Sequence, residues 1–247
     1  MIDTHTHILP AVDDGSKSSE MSLEMLKMAV DSGITEIIAT PHVMEIHTAL
    51  AWQDIVSEVD KLQLLATTAG ITIKVHPGAE LEMNWELLDL FKSTDGMVPY
   101  GLAGSKYVLI ELPASMIPSY ADEFWFELRL CGLTPILAHP ERHAGLMAKP
   151  DILNKWKKAG LLLQCNAGSL TGLYGSTAKK NVEYLIAQDY VDFMASDAHN
   201  NGRRNTDMSE CIQLLESRFG REYKQRLLQA NVQAILIDAQ ARACSNM

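Results

Sequence analysis

The chain has 247 residues, with 21 Lys and Arg against 31 Asp and Glu and a formal net charge of −10. Hydrophobic residues make up 47% and charged residues 21%, proportions that exclude a disordered, collagenous or low-complexity chain. The acidic balance also speaks against a general nucleic-acid-binding surface and gives no long-range attraction to an anionic membrane.

In chain order, short apolar runs predict strands over 1–4, 34–40, 71–78, 107–112, 133–139, 161–166 and 191–196. They are rich in β-branched residues and leucine, as expected of strands buried on both faces. Amphipathic stretches predict helices over 19–31, 48–69, 85–92, 121–130, 150–158, 176–188, 206–217, 221–228 and 231–240. Gly33, Gly70, Gly132 and Gly160 each stand between a helical pattern and the next strand, the trace of repeated βα units. Two arrangements suit this order, an open doubly wound sheet or a closed or nearly closed barrel. The glycine-rich dinucleotide fingerprint is missing after the first strand, where His-Thr-His-Ile-Leu-Pro stands instead. No linker-like stretch divides the chain, so one domain over 1–247 is expected, its last forty residues forming peripheral helices open to packing or self-association.

Cys131, Cys165, Cys211 and Cys244 are scattered and form no CxxC pair, which points to a reducing compartment. The opening MIDTHTHILPAVDDG has no basic stretch followed by an apolar run, and the longest apolar runs are far shorter than the roughly 20 residues of a bilayer span. A cytoplasmic protein with no membrane insertion is the expectation.

Chemistry-bearing residues gather at the ends of the predicted strands. His5 and His7 follow the first strand, with Asp14 in the next loop; His42 follows the second, Glu80 the third, and Glu111 is near the end of the fourth. His139 ends the fifth, and Asp197 and His199 follow the seventh. From His7 the successive intervals are 35, 38, 31, 28 and 58 residues, the last close to two units, with Asn166 ending the skipped one. In a barrel the carboxyl ends of the strands converge on one face, where active sites are built. Nine imidazoles and carboxylates exceed the ligands of a single ion and suit two or three ions of the Zn, Mn or Fe class. In His-x-His, alternate residues of an extended segment point the same way, so both rings can face one ion. His47, His76 and His143 read as ordinary turn or core histidines, and Asn166-Ala-Gly-Ser169 reads slightly better as a turn than as a wall of the site. Arg142, Arg203 and Arg204 are the basic residues near the predicted ligands, and a guanidinium fork suits phosphate oxygens.

His5-Thr-His7, Val-Asp-Asp14-Gly, Thr-Pro-His42, Gly-Ala-Glu80, Ile-Glu111-Leu-Pro, His139-Pro-Glu-Arg142 and Ser-Asp197-Ala-His199 together resemble the PHP (polymerase and histidinol phosphatase) superfamily. Within it the chain looks most like the bacterial protein-tyrosine phosphatases encoded with capsular and exopolysaccharide genes. The resemblance runs in order from residue 2 to about residue 205. It implies an α/β fold, a distorted seven-stranded (β/α)7 TIM-like barrel, with a centre of two to three divalent ions, Mn²⁺ foremost and Fe or Zn as substitutes. Carried over residue by residue, His5, His7, Glu80 and Asp197 hold the first ion. Glu80 bridges to a second, completed by Glu111 and His139, and Asp14, His42 and His199 hold the third. Arg142 and one of Arg203 or Arg204 match phosphate-clamping arginines. The implied reaction is hydrolysis of phosphotyrosine by a hydroxide held between the ions, with Asp197 as one candidate proton donor. The implied partner is a phosphotyrosine protein, the tyrosine kinase of polysaccharide synthesis. A small-molecule phosphomonoesterase such as a histidinol phosphatase, or a non-catalytic metal-binding regulatory module, stays open at this point.

Overall fold

The computed structural model describes residues 1–43, 50–93, 98–114 and 116–245. His47 and the predicted helix start at Thr48 lie outside them. The chain runs β1 (Ile2–Thr6), α1 (Ser19–Asp31), β2 (Glu36–Ala39), β3 (His42–Val43), α2 (Trp52–Thr68), β4 (Lys74–Pro77), β5 (Glu80–Glu82) and α3 (Trp85–Lys92). It continues through β6 (Tyr107–Glu111), α4 (Ala121–Leu130), β7 (Thr134–Ala138), α5 (Ala144–Met147), α6 (Pro150–Lys158), β8 (Leu162–Asn166) and α7 (Ala167–Thr171). It ends with α8 (Gly175–Ala187), β9 (Phe193–Ala195), α9 (Ser209–Phe219), α10 (Arg221–Gln225) and α11 (Asn231–Ser245).

All strand pairs among the described residues are parallel. β1, β2 and β4 form one sheet, and β3, β5, β6, β7, β8 and β9 form another. The two are halves of one distorted barrel. The second and third predicted strands correspond to β2 and β4, and each is followed beyond its predicted end by a further short strand, β3 and β5, so among the described residues nine short strands fill seven barrel positions. The physical cause is proline: Pro41 lies in the first break, and Pro77 with Gly78 opens the second. Proline cannot donate to a ladder, so pairing stops and the chain steps from one sheet to the other. Gly78 is obligatory there, because a Cβ would stand 2.8 Å from Ile38 Cγ2. Closure comes from a parallel bridge between Thr6 and Ala198, flanked by the His7 N–H donating to the Ala198 carbonyl and the Asp197 N–H to the His5 carbonyl, both at 2.9 Å.

The helices form where their apolar spacing buries one face. In α1, Ser18 caps the first turn by accepting from Met21 N–H, Glu20 complements the dipole, and Ser22, Met25, Leu26 and Ala29 face the core. In α3, Asn84 accepts from Leu87 N–H while Leu87, Leu88 and Phe91 are buried. The C-terminal helix takes the packing role open to the peripheral tail. Val232, Ile235 and Leu236 of α11 pack against the inward-facing Ile2, Ile38, Leu109, Ile136 and Phe193. Asp238 accepts from the Lys106 N–H at 2.8 Å, just before β6, so α11 plugs the barrel at the end where the strands begin. The opposite end is left to polar side chains.

Candidate metal centre

Strand ends and two strained residues aim the ligands. His5 lies in β1 and His7 just beyond it, and the closing bridge at Thr6 places both beside Asp197 and His199. His42 of β3 is in register with Glu80 of β5, so these side chains are neighbours across the ladder. His139 and Asp197 follow β7 and β9 with φ of +33° and +51°. Such left-handed backbone at non-glycine residues costs about 1–3 kcal/mol each and is retained where it serves a site.

The nine predicted ligands meet. Glu80 stands at the centre: its Oε2 is 3.1 Å from His5 Nε2, 3.3 Å from His7 Nε2 and 3.2 Å from His42 Nδ1, while its Oε1 is 2.7 Å from His139 Nε2. Asp197 Oδ1 lies 3.6 Å from His5 Nε2, 3.5 Å from His7 Nε2 and 3.6 Å from His199 Nδ1. Glu111 Oε1 is 3.2 Å from His42 Nδ1, and Asp14 Oδ1 is 3.6 Å from His42 Nε2 and 3.4 Å from His199 Nε2. Among the described residues, three groups bring their ligand atoms within 4.8 Å of one another: His5, His7 and Glu80; His42, Glu80 and Glu111; and His7, Asp14, His42 and His199. The third contains the expected Asp14, His42 and His199, and the first holds three of the four ligands expected for one ion, without Asp197. In the second, His42 stands where His139 was expected, although His139 touches Glu80 directly. The cluster opens to one side: His5, His7 and Glu80 are at most 1% exposed, whereas Glu111, His42 and Asp14 are 16%, 24% and 65% exposed.

The donor chemistry fits divalent cations. His5 Nδ1 donates to Gln164 Oε1 at 2.9 Å and His7 Nδ1 to Asp13 Oδ2 at 2.7 Å. With both Nδ1 atoms protonated, the two Nε2 atoms that face each other at 3.1 Å present lone pairs, an arrangement a shared cation stabilises. The carboxylates call for positive charge as well. Burial opposes a charge on His7, yet Asp13, Asp197 and Glu80 push its imidazole well above the ordinary range. Burial likewise opposes charge on His139, and Glu80 and Asp197 raise it to about 9. Burial works against an ionised Glu80, but His5 and His139 hold its carboxyl well below the usual range. His199 goes the other way, down to about 4, through burial and the neighbouring charge of His7.

Asp197 binds cations on its other oxygen. Its Oδ2 accepts from Arg142 Nη1 at 2.7 Å and Asn166 Nδ2 at 2.6 Å and lies 3.0 Å from Arg204 Nη2. Burial would raise this carboxyl, but His5, His7 and His139 hold it far below the usual range. Held as a carboxylate, it suits a ligand. The Arg142 guanidinium lies 4.5 Å and that of Arg204 5.8 Å from the Tyr174 ring centroid, so one aromatic platform carries both. Arg203 turns away, its Nη2 donating to the Leu173 carbonyl at 2.9 Å on the exposed surface. Of the adjacent arginines, Arg204 therefore faces the centre.

Other expectations divide. His76 pairs with Glu36 at 2.7 Å near the strand starts, away from the centre. His143 caps α5, accepting from Leu146 N–H and donating to the Pro113 carbonyl. Both are structural, as expected. Asn166 corrects the slight preference for a plain turn, since it supports Asp197 and precedes the short helix α7. Asp13, Gln164 and Tyr174 were not foreseen. Alternation along β8 carries a signal for one of them: Gln164 and Asn166 are polar residues two apart in an otherwise apolar strand, on the face that points inward. For Asp13, the signal is Gly15, where a Cβ would stand 2.1 Å from the His7 carbonyl oxygen and where the N–H donates to Asp13 Oδ1 at 2.9 Å. The loop must fold back on His7, and Asp13 also accepts from the His42 N–H at 3.0 Å. Asp13→Ala is expected to lower divalent-metal affinity by about 10- to 100-fold with the fold intact. Calorimetric titration of the stripped protein with Mn²⁺ checks this.

The capsular polysaccharide synthesis family CpsB/CapC has a family model that matches residues 1–237 of this chain. The tyrosine-protein phosphatase YwqE of Bacillus subtilis is 37% identical over 227 residues, covering 90% of this chain and 86% of that protein. The tyrosine-protein phosphatase CpsB of Streptococcus pneumoniae is 26% identical over 245 residues, covering 96% of this chain and 99% of that protein. A crystal structure from work on these two proteins, described as unique metal-dependent tyrosine phosphatases, aligns with a TM-score of 0.90 at 34% identity, covering 96% of this chain and 95% of that one. Its barrel is the fold described above. The chain belongs to the CpsB/CapC family of capsular polysaccharide synthesis.

Proposed function

We propose that this protein is a metal-dependent protein-tyrosine phosphatase of capsule or exopolysaccharide synthesis. One observation carries the reading: the Arg142–Arg204 pair on Tyr174 binds the Asp197 carboxylate, which also belongs to a cluster of five imidazoles and four carboxylates buried at His5, His7 and Glu80. The likeness to YwqE and CpsB supports the same activity. His5, His7, Glu80 and Asp197 would hold one ion, Glu80, Glu111 and His139 with His42 nearby a second, and Asp14, His42 and His199 a third. Histidine and carboxylate donors without thiolate suit Mn²⁺, with Fe or Zn as substitutes. Bound there, such ions supply a water of lowered pKa and neutralise charge on phosphoryl oxygens.

The rest is done by the chain. Arg142 and Arg204 orient the phosphoryl group and offset the charge that grows on it in the transition state. Asp197 holds both guanidinium groups in place. Gln164 and Asp13 fix the tautomers of His5 and His7 so that Nε2 of each faces the centre. A tyrosyl leaving group, with a pKa of about 10, needs less protonation than an alkyl alcohol. The exposed side at Asp14 and His42 admits a phosphotyrosine on a protein chain, and the tyrosine kinase of polysaccharide synthesis is the partner we assign. The test is parallel turnover of phosphotyrosine peptide, phosphoserine peptide and histidinol phosphate with Mn²⁺. Selective turnover of phosphotyrosine is expected. Preference for histidinol phosphate would move the substrate, and tight metal binding without turnover of any ester would leave a regulatory module.

A further inference from the structure

Beside the centre lies a groove of about 690 Å³ that shares Arg142, Arg204 and Tyr174 with it and extends to Arg203, Leu173 and Ala178. Its charge runs against that of the chain. Three of its lining residues are arginines, in a protein of net charge −10. The lone carboxylate in the lining, Glu141, is 1% exposed and its Oε1 is turned inward, accepting from the Asn166 N–H at 2.9 Å and the Ser169 hydroxyl at 2.6 Å. Arg142 and Arg204 are committed to Asp197. Arg203 makes no ion pair among the described residues; one nitrogen donates to the Leu173 carbonyl, leaving the rest of its fork facing solvent. Leu173 and Tyr174 are successive residues, so Arg203 is anchored one residue beyond the platform that carries the phosphate-facing pair.

We propose that this groove is a subsite for an anionic side chain beside the phosphotyrosine of the peptide substrate, with Arg203 as the residue that selects it. The proposal rests on the phosphotyrosine reading above. A carboxylate and a second phosphate offer the same chemistry to a guanidinium fork. Because Arg203 is exposed and not in contact with Asp197, its contribution falls on substrate binding and is sensitive to salt.

The test uses the Mn²⁺-loaded protein and five substrates: p-nitrophenyl phosphate, histidinol phosphate and three phosphotyrosine peptides of equal length. The peptides carry neutral flanks, flanking glutamate, or flanking phosphonomethyl-phenylalanine as a non-hydrolysable phosphate mimic. Wild type is expected to favour an anionic flank over the neutral one by about fivefold in kcat/KM, through KM, with the preference shrinking as salt rises. Arg203→Ala removes the preference without changing kcat or turnover of p-nitrophenyl phosphate, Arg203→Lys keeps part of it, and Arg203→Glu inverts it. A gain with glutamate alone, with the phosphonate alone or with both identifies the natural anion. Equal kcat/KM on all three wild-type peptides overturns the proposal, as does an Arg203→Ala variant equally impaired on p-nitrophenyl phosphate and on every peptide. Failure of wild type on p-nitrophenyl phosphate and all three peptides, with histidinol phosphate hydrolysed, marks instead a failure of the phosphotyrosine reading.

Discussion

Glu80→Gln is expected to lower phosphotyrosine turnover at least about a thousandfold, ~4 kcal/mol of transition-state stabilisation, and to reduce bound metal. No other ligand is so placed. One oxygen of Glu80 stands within 3.3 Å of nitrogens from His5, His7 and His42, and the other within 2.7 Å of His139. Glutamine keeps the volume, so the packing around this buried position survives. It removes the charge and replaces one of the two acceptor oxygens with a donor that faces imidazole nitrogens. Steady-state kinetics, elemental metal analysis and a thermal melt separate the effects. A variant that keeps both its metal and its turnover would contradict the bridging role of Glu80.

Arg142→Ala and Arg204→Ala are expected each to lower kcat/KM by about 10²–10³, with most of the loss in kcat. The guanidinium side chains are 33% and 27% exposed, but their shared partner Asp197 is only 2% exposed, so each truncation also takes a partner from a buried carboxylate and lowers Tm. A variant that is still folded at the assay temperature shows the kinetic loss separately from the loss of stability. Arg142→Lys restores only part of the rate, because an ammonium cannot present the planar fork to phosphoryl oxygens. Equal and mild effects for all three of Arg142→Ala, Arg203→Ala and Arg204→Ala would contradict the distinction drawn between the pair on Asp197 and the residue on Leu173.

Much of this site was legible before any coordinates. Period and punctuation place the strands, and a His, Asp or Glu at one strand end after another needs only parallel closure to become a cluster. The Gly33, Gly70, Gly132 and Gly160 turns, all at positive φ, behave as the βα reading requires. What stayed hidden depends on contacts between distant segments. The breaks at Pro41 and Pro77–Gly78 follow from proline chemistry, yet the change of sheet that results is a tertiary event. Asp13 and Asp14 are adjacent acids in one loop, and only the fold-back at Gly15 shows that one orients His7 while the other faces His42 and His199. Arg203 and Arg204 likewise carry the same charge on successive residues, and which of them reaches Asp197 is settled by the loop between β9 and α9. The apolar face of α11 reads as any amphipathic helix would. That it fills the start of the barrel is a matter of topology, not of local pattern.

The most direct measurement is phosphotyrosine-peptide turnover by protein stripped with a chelator and then titrated with Mn²⁺. Turnover is expected to vanish on stripping and to return with Mn²⁺, saturating at two to three ions per chain. Undiminished turnover by the fully stripped protein would contradict a metal-dependent phosphatase built on this cluster.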